Sequence, residues 1–300
     1  MNPSTQKQIQ RLVPLPATLS DLRIDPFYDF LCAADKELRL RQAESFAALP
    51  MVVVDSTGVI MAGHEFYRLF QSRGLEEITV LRAKLSKAEA LCLNFNVSNP
   101  LFTLNLLEKL RFTQRILTEL DARDVYHHVN LDLNINRQLQ SHLNILLSDE
   151  FQYLLMQDRV NLKTALRICD LEAADRIAVI GLFQQIAFTS SQCLHILEML
   201  EEICFRDKTP VRQVLETIDI ESVKLDKKPQ PAVLDALAKH RYPMYSQAEE
   251  EWQERIEALN LPGNMKVRHA PFFEKKNIEV TTLFEDFGQL ERFSKKITDD

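Results

Sequence analysis

The stretch PMVVVDSTGVIMAGH, which covers Pro50–His64, decides how the first hundred residues fold. A β-branched run, a Ser-Thr-Gly turn and a second apolar run predict a β-hairpin. Helical spacing follows and stops at Gly74 with Arg73 in the last turn, which is typical of a helix C-terminus. The run EEITVLRAKL predicts another strand, and Ser86 followed three residues later by Glu89 predicts a capped helix. This order of elements indicates an α/β domain.

The composition is that of a globular chain with a substantial core. The 300 residues are 46% hydrophobic and 26% charged, so two or three compact units are expected. No run approaches the roughly 18 apolar residues of a membrane span, so we expect no membrane partner. The five cysteines include no CxxC pair, so neither a disulfide framework nor a metal site is expected. A reducing cytoplasm fits this pattern best.

The remaining two hundred residues change character twice. From about Leu101 to Leu215, apolar residues recur at spacings of three and four, which predicts helices throughout. The polar stretch ESVKLDKKPQPAV, residues 221–233, contains two prolines and three lysines and predicts a linker. The last sixty residues predict a helix, two strands and a closing helix. We therefore predict an α+β protein with an α/β domain at 1–105, an all-α domain at 106–220, a linker at 221–240 and a small α-β-β-α domain at 241–300.

Six motifs follow one another in the N-terminal domain. They are Pro50–Asp55, Gly58, Ala62–Gly63, the helix that carries Arg68, Gly74–Val80 and Glu89–Asn96. This order resembles the N-terminal domain shared by ParB-type partitioning proteins and sulfiredoxins. The resemblance implies that a strand ends at Gly63 and delivers the chain into a helix. Such a junction can bind phosphate, because glycine permits close backbone approach and the helix start offers free amide donors.

The family resemblance also implies a ligand for this junction. In ParB proteins it reads G-E-R-R-x-R-A and holds the triphosphate of CTP, and a second motif reads E-N-x-x-R. Carried over by position, the nucleotide-binding residues would be Gly63, His64, Arg68 and Asn96, with CTP and Mg²⁺ as cofactors. The sequence departs from the family at four positions: Glu65, Phe66, Phe95 and Asn99. Whether the chain binds or hydrolyses CTP is therefore left open, and no catalytic residue is assigned.

The helical middle of the chain carries a second resemblance to ParB proteins. The sequence LDARDVYHHVNLDLNINRQLQSHLNILL, residues 120–147, resembles the helix-turn-helix region of the family. Its turn departs from the pattern, because Tyr126 stands where a small residue is usual and the spacing is longer. A recognition helix in the major groove would use polar side chains to contact bases and phosphates. The predicted DNA-binding residues are Asn136, Arg137, Gln138, Gln140 and Ser141.

The C-terminal segment is similar to the ParB dimerisation domain. Strands in such a unit can pair across a two-fold axis, which hides their edges and buries an apolar face. The predicted dimerisation residues are Val267, Ile278, Val280, Phe284, Leu290 and Phe293. The alternative is a small appended domain without a partner.

Together these resemblances imply a homodimeric, nucleoid-associated protein of chromosome or plasmid partition. Its partners would be DNA, a second copy of the chain and a ParA-type ATPase, and it would act as a CTP-dependent clamp. The net charge of −7 requires any nucleic-acid surface to be local. Two alternatives stay open: a dimeric protein-interaction module without nucleotide or specific DNA binding, and a nucleotide-dependent phosphotransferase.

Overall fold

The computed structural model describes residues 12–32, 35–46, 51–218, 223, 227–274 and 277–298. The chain is a mixed α+β protein, as predicted. It divides into two compact units, Met1–Gln230 and Pro231–Asp300. The predicted α/β and all-α domains, 1–105 and 106–220, therefore belong to one compact unit rather than two.

A small mixed sheet forms the N-terminal part of the first unit. Its strands are β1 (Val13–Thr18), β2 (Arg23–Ile24), β3 (Val53–Val54), β4 (Val59–Ala62) and β5 (Glu77–Arg82), in the spatial order β1-β5-β3-β4-β2. The predicted hairpin is β3–β4, which pair antiparallel, while β3–β5 and β2–β4 are parallel. The carboxylate of Asp55 closes the hairpin by accepting from the amides of Thr57 at 2.7 Å and Val59 at 2.9 Å. These bonds lower the pKa of Asp55 although burial acts to raise it.

Helices cover this sheet and continue the chain. The first four are α1 (Lys36–Glu44), α2 (His64–Ser72), α3 (Lys87–Leu101) and α4 (Leu106–Ile116). Helix α3 begins with the predicted capping box, in which the Ser86 hydroxyl accepts from the Glu89 amide and the Glu89 carboxylate accepts from the Ser86 amide. A core of buried residues, including Met61 and Leu93, joins the sheet to α3.

The all-α part continues with seven further helices among the described residues. They are α5 (Ala122–His128), α6 (Arg137–Leu146), α7 (Asp149–Met156), α8 (Leu162–Cys169), α9 (Ala173–Gln185), α10 (Ser190–Asp207) and α11 (Val211–Glu216). Side-chain caps start several of them, because Asn136, Asn161 and Thr189 accept from backbone amides of the first turn. The predicted helical character of this region is confirmed.

The stretch predicted as a linker, 221–240, contains the boundary between the two units. Helix α12 (Pro229–Arg241) occupies its second half, while residues 219–222 and 224–226 lie outside the described residues. Proline is tolerated in the first turn of a helix, where the amide has no helical partner, so the two prolines do not exclude a helix here. The second unit continues with α13 (Pro243–Ala258), β6 (Met265–His269), β7 (Ile278–Thr282) and α14 (Phe287–Thr298). This is the predicted α-β-β-α order.

Candidate functional site

The junction between β4 and α2 contains the glycine that the motifs single out. Gly63 is the N-cap of α2 and has a φ of +83°. A Cβ at this position would lie 2.0 Å from the backbone oxygen of Met51 and 3.0 Å from the Cα of Val52. The glycine is therefore required by a close approach between two backbone segments, whatever the junction binds.

His64 begins α2 and is fully buried. The Asn94 amide nitrogen donates to the carbonyl of Tyr28 at 2.8 Å and lies 3.5 Å from Nδ1 of His64. Burial lowers the pKa of His64 to about 4, so the ring is neutral at pH 7. Its Nε2 has no hydrogen-bond partner among the residues that the structure describes.

Arg68 lies one turn further along α2, where the family resemblance places a phosphate-binding cation. Its guanidinium is paired with two carboxylates: that of Asp29, and that of Glu65 at 2.9 Å. Burial raises the pKa of Glu65, and Arg68 opposes that shift. The charge of Arg68 is thus committed to internal pairs, which leaves little of it for a triphosphate.

Two of the family departures, Phe66 and Phe95, are core residues here. Phe66 is fully buried and its ring lies 6.1 Å from that of Phe102. Phe95 lies 4.4 Å from the ring of Phe112, which in turn meets Phe30 at 5.5 Å. In this chain, aromatic rings therefore stand at positions where the family motifs have charged side chains.

The structure does not bring Asn96 to the junction with the other predicted nucleotide residues. Its side-chain amide donates to the carbonyl of His128 at 2.9 Å, at the end of α5. Asn94, two residues earlier on α3, has the position beside His64. Helical geometry explains the difference, because residues two positions apart face different sides of a helix. The binding of nucleotide by any of these residues stays a prediction.

Sequence reasoning missed a buried ion pair next to this junction. Glu108 is fully buried, and its carboxylate accepts from the guanidinium of Arg39 at 3.1 Å and from the amides of Cys32 and Asn105, each at 2.9 Å. The spacing of Asn105 and Glu108 is a capping-box signal that could have placed the start of α4. Nothing local to the sequence indicates the partner on α1.

Helix α6 carries the predicted DNA-binding residues. Leu139, Leu143 and Leu146 face the interior of the unit. The predicted residues Arg137, Gln138, Gln140 and Ser141 are exposed, and the Asn136 side chain caps the helix by accepting from the Leu139 amide at 2.8 Å. The five predicted DNA-binding residues therefore lie on one exposed side of α6 and at its N-terminal end.

The connection between α5 and α6 differs from a short helix-turn-helix turn. It spans residues 129–136, and the Tyr126 hydroxyl holds it together. That hydroxyl donates to the carbonyl of Leu133 at 2.8 Å and accepts from the amide of Ile135 at 2.6 Å. The large residue that departs from the family pattern is thus the residue that fixes the longer turn. The helix-turn-helix assignment stays a prediction.

An acidic residue borders this surface of α6. Asp170, just after α8, accepts from Gln138 at 3.4 Å and pairs with Nε2 of His142 at 2.9 Å. A carboxylate at the edge of a nucleic-acid surface repels phosphate, so it restricts which part of α6 could approach DNA.

In the second unit, β6 and β7 share one face that is only partly covered. Val267 lies opposite Val280, and His269 lies opposite Ile278. His269 packs on Trp252 of α13 at 5.2 Å, so α13 covers the β6 side of this face. Ile278 and Val280 remain 57% and 55% exposed.

The other predicted dimerisation residues divide into a packed pair and an exposed leucine. The rings of Phe284 and Phe293 lie 5.2 Å apart and are half-buried. Leu290 on α14 is 40% exposed, and Leu283 and Phe287 are 65% and 72% exposed. These side chains, like Ile278 and Val280 of β7, are large apolar groups that the second unit leaves exposed.

Two further properties of the described residues bear on function. No group of three or more histidine, cysteine, aspartate or glutamate side chains is arranged there to hold a metal ion. Of the helices in those parts of the chain, none has the length and apolar character needed to cross a bilayer.

Comparison with known proteins gives matches among solved structures only. No family model and no curated protein matches the sequence. The chain is similar to the C-terminally truncated chromosome-partitioning protein ParB from Caulobacter crescentus complexed to the centromeric parS site, with 16% identity over 61% of this chain and 98% of that chain, at a TM-score of 0.36. It is also similar to a Pnob8-like ParB-N domain, with 13% identity over 75% and 98% of the two chains, at a TM-score of 0.36.

A third match is the same Caulobacter protein complexed with CTP-gamma-S, with 19% identity over 57% of this chain and 99% of that chain, at a TM-score of 0.26. The predicted likeness to ParB proteins is thus found among solved structures. Since each of these TM-scores is below 0.5, the fold is defined here by its own elements, and these matches decide nothing about function.

Proposed function

We propose that the chain is a homodimeric DNA-binding protein of the ParB class that contacts DNA through α6. The observation that carries this proposal is the exposed side of α6. It presents an arginine, two glutamines and a serine to solvent, while its leucines anchor the helix in the unit.

The residue types on α6 suit a nucleic-acid surface. Glutamine can contact adenine through two hydrogen bonds, and arginine can contact guanine or a phosphate. The turn before α6 is fixed by the Tyr126 hydroxyl, so the start of the helix is held in one geometry. A preorganised helix loses less entropy on binding than a mobile one.

The exposed apolar side chains of the second unit support the proposed self-association. A two-stranded sheet has only marginal stability by itself. Helix α13 covers the β6 side of one face of this sheet, and Ile278 and Val280 of β7 stay exposed on the same face. A second copy of the same surface would cover these side chains. Two copies would also present two α6 helices, as a paired DNA site requires.

A CTP-dependent clamp is not part of this proposal. Arg68 is paired with Asp29 and Glu65, and Phe66 and Phe95 are core residues, so the contacts at the junction disfavour a bound triphosphate. A ParA-type ATPase partner and a nucleoid-associated location stay predictions that depend on DNA binding. The protein-interaction module is the alternative that Asp170 and the negative net charge favour. No feature of the described residues favours a phosphotransferase.

Genomic pull-down followed by sequencing tests DNA binding directly. Discrete enriched sites would support the proposal, and a flat profile would favour the interaction module. On an enriched fragment, Arg137→Ala is expected to raise the Kd by about 10- to 100-fold, because one charged contact to a base or phosphate is lost. Fluorescence anisotropy at fixed salt measures this change. Arg206→Ala, an exposed arginine on α10, is the control and should leave the Kd within about twofold; equal effects of the two variants would rule out α6 as the contact.

The dimer surface gives a separate prediction. Val280→Asp places a carboxylate on the half-exposed apolar face of β7 and is expected to convert the dimer to a monomer of 34.7 kDa. Sedimentation equilibrium measures the mass. Thr281→Asp changes the opposite face of the same strand and should leave the dimer intact. A Val280→Asp protein that stays dimeric would place the interface elsewhere.

A further inference from the structure

His269, the last residue of β6, lies among aromatic rings in the second unit. The ring of Phe273 is stacked on it, at 3.8 Å between centroids and 10° between planes, and the indole of Trp252 meets it edge to face at 5.2 Å. Tyr245 extends the cluster, because its ring lies 5.9 Å from that of Phe273. Only 15% of the His269 side chain is exposed, although none of the described residues after Arg241 is fully buried. The imidazole is therefore held by its neighbours rather than by water.

Both nitrogens of the His269 ring face oxygen atoms. Nδ1 lies 2.7 Å from the carbonyl oxygen of Ala270, and Nε2 lies 2.9 Å from Oε2 of Glu249 on α13. A carbonyl and an ionised carboxylate only accept hydrogen bonds, and a neutral imidazole carries a single N–H. One nitrogen of a neutral ring would therefore present its lone pair to an oxygen. The imidazolium, which has two N–H groups, satisfies both contacts.

The surroundings of Glu249 keep its carboxylate ionised. Burial acts to raise the pKa of Glu249, but hydrogen bonds from Gln253, His269 and Tyr245 outweigh burial and lower the pKa. Gln253 donates to the other oxygen of the carboxylate, Oε1, at 3.3 Å. The carboxylate thus stays an acceptor near neutral pH, and it cannot supply the second proton that the two contacts of the ring require.

Glu249 is the carboxylate that contacts the ring among the described residues. The elements that surround the ring carry further charged side chains, all of them exposed: Glu250, Glu251, Glu254, Arg255 and Glu257 of α13, Lys266 and Arg268 of β6, Glu279 of β7, and Glu274. The three on the strands face away from His269, because alternate residues of a strand face opposite sides of the sheet. Lys275 and Lys276 lie outside the described residues.

The residue stacked on the imidazole has a strained backbone. Phe273 has a φ of +54°, a left-handed conformation that a bulky residue rarely adopts. Such a backbone persists only where the surrounding contacts hold it. Here the Phe273 ring lies parallel to that of His269, and a cation over the face of an aromatic ring is attracted by it. A charged imidazole therefore also explains why this conformation is kept.

We propose that His269 forms a pH-dependent link that holds α13 to β6 when its ring carries both protons. The imidazolium donates to Glu249 and to Ala270 and stacks on Phe273. Rising pH removes one proton, because imidazole is the side chain whose charge ordinarily changes between about pH 5 and 8. The neutral ring keeps one of the two hydrogen bonds and loses the ion pair, so the second unit becomes less stable. In acid the link fails for a different reason, because Glu249 must be ionised to accept.

Trp252, the single tryptophan of the chain, reports the charge of the ring directly. An imidazolium quenches the fluorescence of an indole on which it packs, whereas a neutral imidazole quenches it much less. In the full folded chain, the Trp252 emission is expected to rise at least about 1.3-fold from about pH 5.5 to about pH 8.5. His269→Gln should remove this step. His240→Gln, which changes the other histidine of the second unit, should keep it.

Urea unfolding of the second unit, followed by the same fluorescence, measures the strength of the link. The equilibrium constant for folding is expected to fall about tenfold from about pH 6 to about pH 8.5, since the ion pair and one hydrogen bond are lost. Glu249→Gln supplies an amide that can donate to Nε2 of a neutral ring, so its folding constant should change less than about twofold over that range. All variants are compared at one protein concentration, because association would also shift the midpoint.

Two results would overturn the proposal. An emission that does not change with pH, or that changes equally in His269→Gln, would show that the ring beside Trp252 does not gain the charge. A wild-type folding constant that stays level or rises with pH would show that the neutral ring holds α13 as well as the imidazolium does. If His269→Gln does not fold, Glu249→Gln decides, because a tenfold fall in that variant would exclude this carboxylate as the partner. None of these measurements involves α6 or DNA, so they are independent of the proposed function.

Discussion

Replacing Glu108 by alanine is expected to lower the free energy of unfolding by about 3–5 kcal/mol. The carboxylate is fully buried and accepts from the guanidinium of Arg39 and from the amides of Cys32 and Asn105. Its removal leaves a buried guanidinium without its counter-ion and two amides without acceptors. Removing one partner of a buried pair costs more than the pair contributes, because the other charge stays desolvated.

Urea unfolding followed by circular dichroism measures this loss. The single tryptophan, Trp252, belongs to the second unit, so helical signal is the better probe of the first. Glu119→Ala is the matched control, since Glu119 is exposed after the end of α4, and it should change the free energy by less than about 0.5 kcal/mol. A loss below about 1 kcal/mol for Glu108→Ala would mean that the buried pair is replaced by water.

Local patterns account for most of the fold that the sequence predicts. The hairpin of β3 and β4, the capping box at Ser86 and the helices from α4 to α10 are each encoded by neighbouring residues. A cap, a turn and a periodic apolar face need no information from distant parts of the chain. These elements therefore follow from the sequence without the structure.

The contacts that define the site are of a different kind. Arg68 meets Asp29 from 39 positions away, and Arg39 meets Glu108 from 69 positions away. From the sequence alone, an arginine on an amphipathic helix can be interpreted equally well as a phosphate-binding residue or as the ion-pair partner of a distant carboxylate. The sequence could therefore propose Arg68 as a binding residue but could not show that its charge is already paired.

The side of the helix on which a residue lies limits, in a similar way, what a family motif can predict by position alone. Asn96 matches a family motif by position, yet Asn94 is the residue that lies beside His64. Tyr126 departs from the family pattern, yet its hydroxyl fixes the longer turn before α6. A motif assigns residue types to positions, whereas the side of the helix and the length of the turn decide which side chains meet.

The junction between β4 and α2 keeps the glycine that the family resemblance predicts, but different side chains surround it. Aromatic rings and internal ion pairs occupy positions where the ParB motifs have charged side chains. The backbone geometry of a fold can stay the same while charged side chains occupy different positions around it, because the glycine turn and the side chains are subject to separate constraints. Gly63 is the residue on which that distinction can be tested.

Gly63→Ala is expected to lower the free energy of unfolding by more than about 3 kcal/mol. The residue has a φ of +83°, and the new Cβ would lie 2.0 Å from the Met51 backbone oxygen. The left-handed conformation accounts for about 1–2 kcal/mol of the loss, and the overlap with a backbone atom adds the rest, because neither β4 nor residues 51–52 can move without breaking the sheet.

Two other glycines separate these contributions. Gly74 has a φ of +67° and open space where a Cβ would lie, so Gly74→Ala should cost only the conformational 1–2 kcal/mol. Gly58 has a φ of +83° and would place its Cβ 2.8 Å from the Asp21 oxygen, so its loss should be intermediate. Urea unfolding of the three variants should rank Gly63→Ala as the most destabilised and Gly74→Ala as the least. If all three lose the same amount, the close approach of Met51 does not explain Gly63, and a ligand at the junction becomes the better reason for the glycine.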